Sequence, residues 1–409
     1  MIPLLLFIIS AVLTGFLGYF ISQRLLNPAT LFAFVWGGVL LLYHLRLSAW
    51  QDALSAETYY VFALTQIVFL IAYSLGCFLK LRHGVPASHK ELDESYVKEL
   101  FAVWLVLDVV EVFYSGGVPA LWLFTDLSKN YFSFGIPSVH GFTNALGLVI
   151  LLLAAYHVIE NKGDRRAMLG IIACFYVYYV ILITRQVLVS GTIEIICLWL
   201  LKAKKIPVAK IAVIGVCLVL AFGWIGNVRT GYESFLAVGA LRDDLPPVLG
   251  GIYWVYMYLT MTVANVNNLI CMSPEPMGLG VALSGLVPTA VEGALGIETS
   301  EAVSYLVTPA FTVSGYFDKY YLGAGVGGVV LITGLYGLLG GVACKAINRD
   351  PCMRNQLLYA VVIQIVALTF FVNSLGTLPI VFQLVLLLFF FRRRESDYAG
   401  LALLDFKAA

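Results

Sequence analysis

Charge is what this sequence has least of. Asp, Glu, Lys and Arg make up 12% of its 409 residues, about half the share of an ordinary soluble domain. That is too little to cover a water-facing surface, so a soluble globular protein is excluded. The net charge of +1 says nothing about partners, because the position of charge outweighs its sum in so apolar a chain. Cysteine is sparse and unpatterned: Cys77, Cys174, Cys197, Cys217, Cys271, Cys344 and Cys352 lie in apolar spans or beside basic loops, with neither the spacing of a disulfide framework nor that of a metal cage. Walker patterns and dinucleotide fingerprints are missing, which disfavours an ATP-driven machine. There is no internal repeat, low-complexity tract or soluble domain. The first twenty residues lack a basic start and a small-residue cleavage site, and they read as a retained first span.

What is present is apolar length. Mean hydropathy is +0.91 and 61% of residues are hydrophobic. At about 20 residues per crossing, the expectation is an all-α membrane protein whose residues 1–409 form a single integral domain of about 12–13 helices. Apolar runs fall at 2–22, 29–46, 57–79, 98–114, 139–159, 167–184, 186–201, 209–226, 251–271, 277–291, 318–344, 354–373 and 375–391. The run at 277–291 is short and glycine-rich, which suits a broken or re-entrant piece. Basic clusters at Lys80 to Arg82, Lys162 to Arg166, Lys202 to Lys205, Lys345 to Arg354 and Arg392 to Arg394 all land on one side if each run crosses once. The positive-inside rule makes that side cytoplasmic and puts the N-terminus outside. Arg46, Lys129, Arg185, Arg229, Arg242 and Lys319 are left on the other side, with long loops at 115–138, 227–250 and 292–317. Loops carry function while helices carry packing, so chemistry is expected there. Reactions outside the plasma membrane need pre-activated substrates, commonly lipid diphosphates.

The stretch from Phe222 to Gly231, Phe-Gly-Trp-Ile-Gly-Asn-Val-Arg-Thr-Gly, ends an apolar run in glycines around Arg229. Glycines allow close backbone approach, and a guanidinium grips a phosphate through two parallel hydrogen bonds. Arg185 interrupts another apolar stretch, where it must surface or meet a partner; it reads as a second phosphate group or as a snorkelling arginine. Arg242 is a third cation, or the ion-pair partner of Asp243 or Asp244. Those two acids suit a diphosphate-bound metal less well than a solvated turn before Pro246. Between Arg229 and Arg242, the segment from Thr230 to Ala240, with Tyr232, Phe235, Leu236 and Leu241, is expected to form a short helix lying on the membrane. His140 suits a base that deprotonates a hydroxyl, against the plainer role of closing a helix end. Asp126, Lys129, Asn130 and Tyr131 mix polar with aromatic groups, as sugar binding requires and as interfacial loops also do. Asp318, ahead of Tyr321 at the mouth of a span, is a second candidate base or one half of a surface pair with Lys319. Glu194, in mid-span, needs a hydrogen-bonding or arginine partner.

Several pieces in order resemble the bacterial oligosaccharide repeat-unit polymerases, the Wzy-type O-antigen and capsule polymerases. They are Asn27-Pro28 with Trp36, Gly116-Gly117-Val118-Pro119 through Tyr131 to Phe134-Gly135-Ile136-Pro137 and His140-Gly141, Arg185, Phe222-Gly223 through Arg229, Tyr256-Met257-Tyr258 with Ala264-Asn265, and Thr308 to Asp318 before a glycine-rich helix. The resemblance spans roughly 27–330 and implies a GT-C-like glycosyltransferase of the bacterial inner membrane, its site facing the periplasm or cell exterior. Such an enzyme moves a growing polyprenyl-diphosphate-linked glycan onto an incoming lipid-linked repeat unit. Arginines such as Arg185 and Arg229 would engage the diphosphates, His140 or Asp318 would act as base, and Arg242, Asp126, Lys129, Tyr131, Tyr232 and Tyr321 would hold substrate. Expected partners are lipid-linked donor and acceptor, the bilayer, a chain-length regulator and a flippase; nucleic acid, metal, cofactor and nucleotide sugar are not expected. A glycan ligase shares the chemistry, and a glycolipid transporter is the rival from another class.

Overall fold

The computed structural model describes residues 2–80, 91–126, 128–129, 131–203, 208–230, 232–242, 244–245, 249–287, 291 and 305–392. Among these residues the chain is all-α apart from one isolated bridge between Ser48 and Leu241. In order the helices are α1 (Ile2–Ser22), α2 (Pro28–Tyr43), α3 (Ala56–Phe78), α4 (Glu94–Ser115), α5 (Pro119–Thr125), α6 (Val139–Glu160), α7 (Arg165–Ile181), α8 (Arg185–Lys202), α9 (Val208–Thr230), α10 (Tyr232–Gly239), α11 (Gly250–Met272), α12 (Leu279–Leu283), α13 (Asp318–Arg349), α14 (Met353–Ala367) and α15 (Leu378–Phe390). Among the described residues five stretches, Ile2–Ser22, Ala56–Phe78, Glu94–Thr125, Val139–Glu160 and Asp318–Arg349, are helical, long and apolar enough to cross a membrane. This is a membrane-embedded helical bundle.

The basic segments gather at one end. Arg24 reaches Asn348, Lys345 the carbonyl of Leu79, and Lys202 pairs with Glu160. His157 bonds the carbonyl of Leu92 at 3.0 Å, and Tyr96 meets Phe390 at 5.7 Å. The same end therefore holds the connections α1–α2, α3–α4, α6–α7 and α13–α14, as the charge pattern predicts. Its helix starts are capped: Asn27 opens α2 by accepting from Thr30 N, and Asp164 opens α7 by accepting from Arg166 N and Ala167 N. Each cap satisfies N–H groups that have no partner inside the helix.

Small residues bring α3 and α13 together. A Cβ on Gly341 would lie 2.1 Å from the Tyr73 carbonyl, and one on Gly337 2.5 Å from that of Phe69. Only glycine permits that approach, which lets the two backbones pack directly.

Two apolar runs sit at the loop end of the bundle in their described parts. In α11, Tyr256 bonds Leu47 N and Gln51, and farther along Asn267 accepts from Ser55 N and Thr58. The helix thus lies along the α2–α3 connection, opposite the basic end. The run at 277–291 holds only the five-residue α12 and a 3-10 turn at Ser284–Leu286 in its described part. Losing both crossings together leaves the sidedness of everything else unchanged.

Nor is α13 one straight rod. Ala324 (φ −152°, ψ 26°) and Gly325 (φ 58°, ψ −146°) break it, and the chain reverses there. The Cβ position of Gly328 falls 2.2 Å from the Tyr320 carbonyl, and Tyr316 bonds Thr333 at 2.8 Å. Residues 318–323 form a short arm folded back on the long helix, and the carbonyls of Leu322 and Gly323 accept from Met277 N and Gly278 N. α14 and α15 are also short, about 22 and 20 Å at 1.5 Å per residue. Their connection is buried: Thr369 and Ser374 are wholly inaccessible, and Trp36 bonds Thr369 at 3.1 Å.

Candidate functional site

The end opposite the basic clusters carries three groups of polar side chains. The first is built around Arg185. A tight turn precedes it, with Thr184 N bonded to the Tyr179 carbonyl and Ile183 held at φ 56°. A β-branched residue avoids that region at a cost of about 1–3 kcal/mol, so the fold constrains this turn against local preference. The Arg185 guanidinium lies 5.3 Å over the ring of Tyr258, a cation–π contact worth roughly 2 kcal/mol when shielded from water. Tyr258 stacks on Trp254 at 6.1 Å, and Phe235 of α10 covers Trp254 at 3.9 Å. Gly226 admits that indole: a Cβ there would sit 2.9 Å from the ring. The aromatic row thus joins Arg185 to the last turns of α9, where Arg229 resides one turn beyond Gly226. The side chains of Arg229 and Tyr232 lie outside the described residues, as do Asn130 and Asp243.

The second group surrounds His140. Its Nδ1 is 2.9 Å from Glu111 Oε2, and Glu111 Oε1 accepts from Ile136 N at 3.3 Å. Glu111 is 1% exposed. Tyr131 and Phe134 flank the imidazole at 6.3 and 5.5 Å, and Gly135 (φ 93°) leaves room for it, since a Cβ would lie 2.6 Å from the ring. With Nδ1–H donated to Glu111, Nε2 keeps its lone pair and is the basic atom; it has no hydrogen-bond partner among the described residues. Burial, then the charge of Glu111, push the Tyr131 phenol up, so it stays a neutral donor.

The third group is deeper. Asp318 accepts from Tyr305 at 2.8 Å, and Lys319 donates to Ser284 at 3.2 Å. The two neighbours point to different partners and form no ion pair with each other. Asp318 begins the folded-back arm rather than the spanning helix, and Tyr321 is buried beside Ser273.

Of the remaining candidates, Arg242 and Lys129 are exposed, Asp126 is half-buried and Glu194 is buried. Arg242 makes a bidentate pair with Asp244 at 2.9 and 2.6 Å, holding the carboxyl below its usual range. Asp126 accepts from the hydroxyl and N–H of Ser128, closing its own turn. Lys129 lies 5.3 Å over Trp122. Among the described residues no group of three His, Cys, Asp or Glu suits a metal ion. Glu194 is bonded by Gln383 at 3.0 Å to both oxygens, so its partner is an amide.

Sequence reasoning passed over Glu111 and Asp108. Both lie inside the apolar run at 98–114, and two acids one helical turn apart within such a run were the available signal. Tyr258 and Trp254 gave none, because aromatic residues at helical spacing also describe a core. Comparison with protein-family models, with curated proteins and with solved structures finds no match, so any functional reading rests on these residues.

Proposed function

We propose that this protein is a GT-C-like glycosyltransferase of about 11 crossings that joins polyprenyl-diphosphate-linked oligosaccharide repeat units on the outer face of a bacterial plasma membrane, in the manner of Wzy-type polymerases. The observation that carries the reading is the aromatic row that ties Arg185 to the end of α9 bearing Arg229, at the same end of the bundle as the Glu111–His140 pair. Breaking the bond between glycan and diphosphate leaves negative charge on the departing oxygen. Guanidinium groups fixed in a partly dehydrated site stabilise that charge more than the ground state. His140, oriented by Glu111, takes the proton of the acceptor hydroxyl at Nε2 as the sugar–oxygen bond forms.

The test is genetic and chemical. Disrupting the gene is expected to collapse surface glycan to single repeats. Arg185→Ala and Arg229→Ala are expected to lower polymer formation about 10²- to 10³-fold, the usual loss of one charge-stabilising donor, and Lys is expected to rescue neither because it lacks the planar fork. Full-length glycan from both variants would end the assignment.

The folded-back arm at 318–323 favours a second reading, because broken helices at membrane depth are also how transporters hold cargo. Movement of a lipid-linked glycan between leaflets without bond formation would select it. A ligase would leave a lone lipid-linked unit unextended until another acceptor was supplied.

A further inference from the structure

The consecutive helices α8 and α9 diverge instead of packing closely on each other. α8 packs chiefly on α14 and α6, while α9 packs chiefly on α11. Glycine fixes the outer half of α9 there: a Cβ on Gly223 would fall 2.2 Å from Gly251 Cα, and one on Gly226 would meet Trp254. Toward the basic end the two helices leave a cleft of about 560 Å³ between them, lined by Ile195, Ile196 and Trp199 of α8 and by Ala209, Val213 and Ile214 of α9. Every one of these lining residues is apolar. Val213 is 63% exposed, so the cleft is open on the side that faces lipid.

Its depth limits what can fill it. Ile195 to Trp199 lie roughly 15–21 Å along α8 from Arg185, at 1.5 Å per residue. The hydrocarbon core is about 30 Å thick, so the acyl chains of an outer-leaflet phospholipid end about 15 Å down, at the edge of the cleft. A longer chain is needed to fill it from the arginine end. The outer ends of the same two helices carry Arg185 and Arg229, and a guanidinium grips a phosphate through paired hydrogen bonds.

We infer that the cleft between α8 and α9 holds the isoprenoid tail of a polyprenyl diphosphate whose headgroup sits at the Arg185 and Arg229 end. The identity of the headgroup rests on the glycosyl-transfer reading; the depth and apolar lining of the cleft do not. Moving a chain from lipid into the cleft gains little hydrophobic energy, because lipid tails are as apolar as leucine. Selectivity therefore comes from the charge of the headgroup and the length of the tail, and the cleft sets the register between them.

The test locates the tail without any glycan. The full chain in phosphatidylcholine nanodiscs is photolysed with a long-chain polyprenyl diphosphate that carries a diazirine midway along its tail, and the adducts are mapped by mass spectrometry. Adducts should concentrate at 195–199 and 209–214, and excess unlabelled polyprenyl diphosphate should remove them where an equal excess of phosphatidylglycerol does not. Val213→Trp, which fills the cleft without touching either arginine, should lose most of this labelling. Val106→Trp should keep it, because Val106 lines a separate apolar groove with Ala102, Val103 and Leu107 on α4. Equal labelling of the α4 groove and the cleft, or equal competition by phosphatidylglycerol, would overturn the inference in favour of ordinary surrounding lipid. The native map and the competition decide the matter even where Val213→Trp fails to fold. Glycan extension by a chain whose adducts lie elsewhere would sink this assignment alone, whereas cleft adducts in a chain that forms no glycosidic bond would sink the polymerase reading and leave the cleft assigned.

Discussion

Glu111 and His140 hold each other in a fixed tautomer, and each needs the other for a different reason. Glu111 requires a donor because it is buried, and His140 requires an acceptor at Nδ1 so that Nε2 stays basic. His140→Ala is therefore expected to cut turnover about 10²- to 10⁴-fold, the range of a general base, with substrate affinity little changed. Glu111→Gln should lie toward the lower end of that range, since an amide holds the imidazole in its tautomer less firmly. A rate profile unchanged in either variant would remove the pair from the mechanism. Arg242 differs because its fork is already filled by Asp244 in an exposed pair. Arg242→Ala should accordingly cost less activity than Arg185→Ala, as a comparison of the two turnover rates will show.

At the scale of elements, the reversal at Ala324 and Gly325 shapes the deep polar group. Gly325 occupies backbone space open almost only to glycine, so Gly325→Ala should destabilise the protein by roughly 1–3 kcal/mol. Gly341→Ala drives a methyl against the Tyr73 carbonyl and should cost a similar amount, about 1–3 kcal/mol, by forcing α3 from α13. Thermal unfolding in detergent measures both. Helix type and the gathering of basic residues could be read from composition and charge, because lipid exposure demands long apolar runs and Lys and Arg mark their ends. The path of the chain between α9 and α13 could not. An apolar run buried inside protein looks the same as one facing lipid, and α11 is such a run, with Met257, Met261, Val263 and Val266 fully buried. The arm at 318–323 was hidden for a related reason: Gly323 to Gly328 reads as a smooth packing face until the backbone angles are known. Among site residues, Arg185 and His140 stood out as polar groups where apolar ones were expected. Glu111 did not, since its signal was only the second acid, Asp108, one turn away in the same apolar run.

The whole molecule has two dissimilar ends. One is tied by Lys and Arg pairs to short connections, and the other collects the aromatic row, the Glu111–His140 pair and the folded-back arm. Single cysteines for impermeant labelling, placed where exposed native thiols have been replaced, test that division. Ser128→Cys and Ser273→Cys should label from the same face, and Gly163→Cys from the opposite one. Labelling of Ser273→Cys together with Gly163→Cys would restore α11 as a crossing helix and undo the placement of the site.

The central claim is that Arg185 and Arg229 serve one diphosphate leaving group, and reconstituted protein given a single lipid-linked repeat unit tests it most directly. Extension into a ladder of products by the native chain, with release of lipid diphosphate and none from Arg185→Ala or Arg229→Ala, is the predicted result. A native chain that binds or moves the lipid but forms no glycosidic bond, or arginine variants that build the same ladder, would contradict the account.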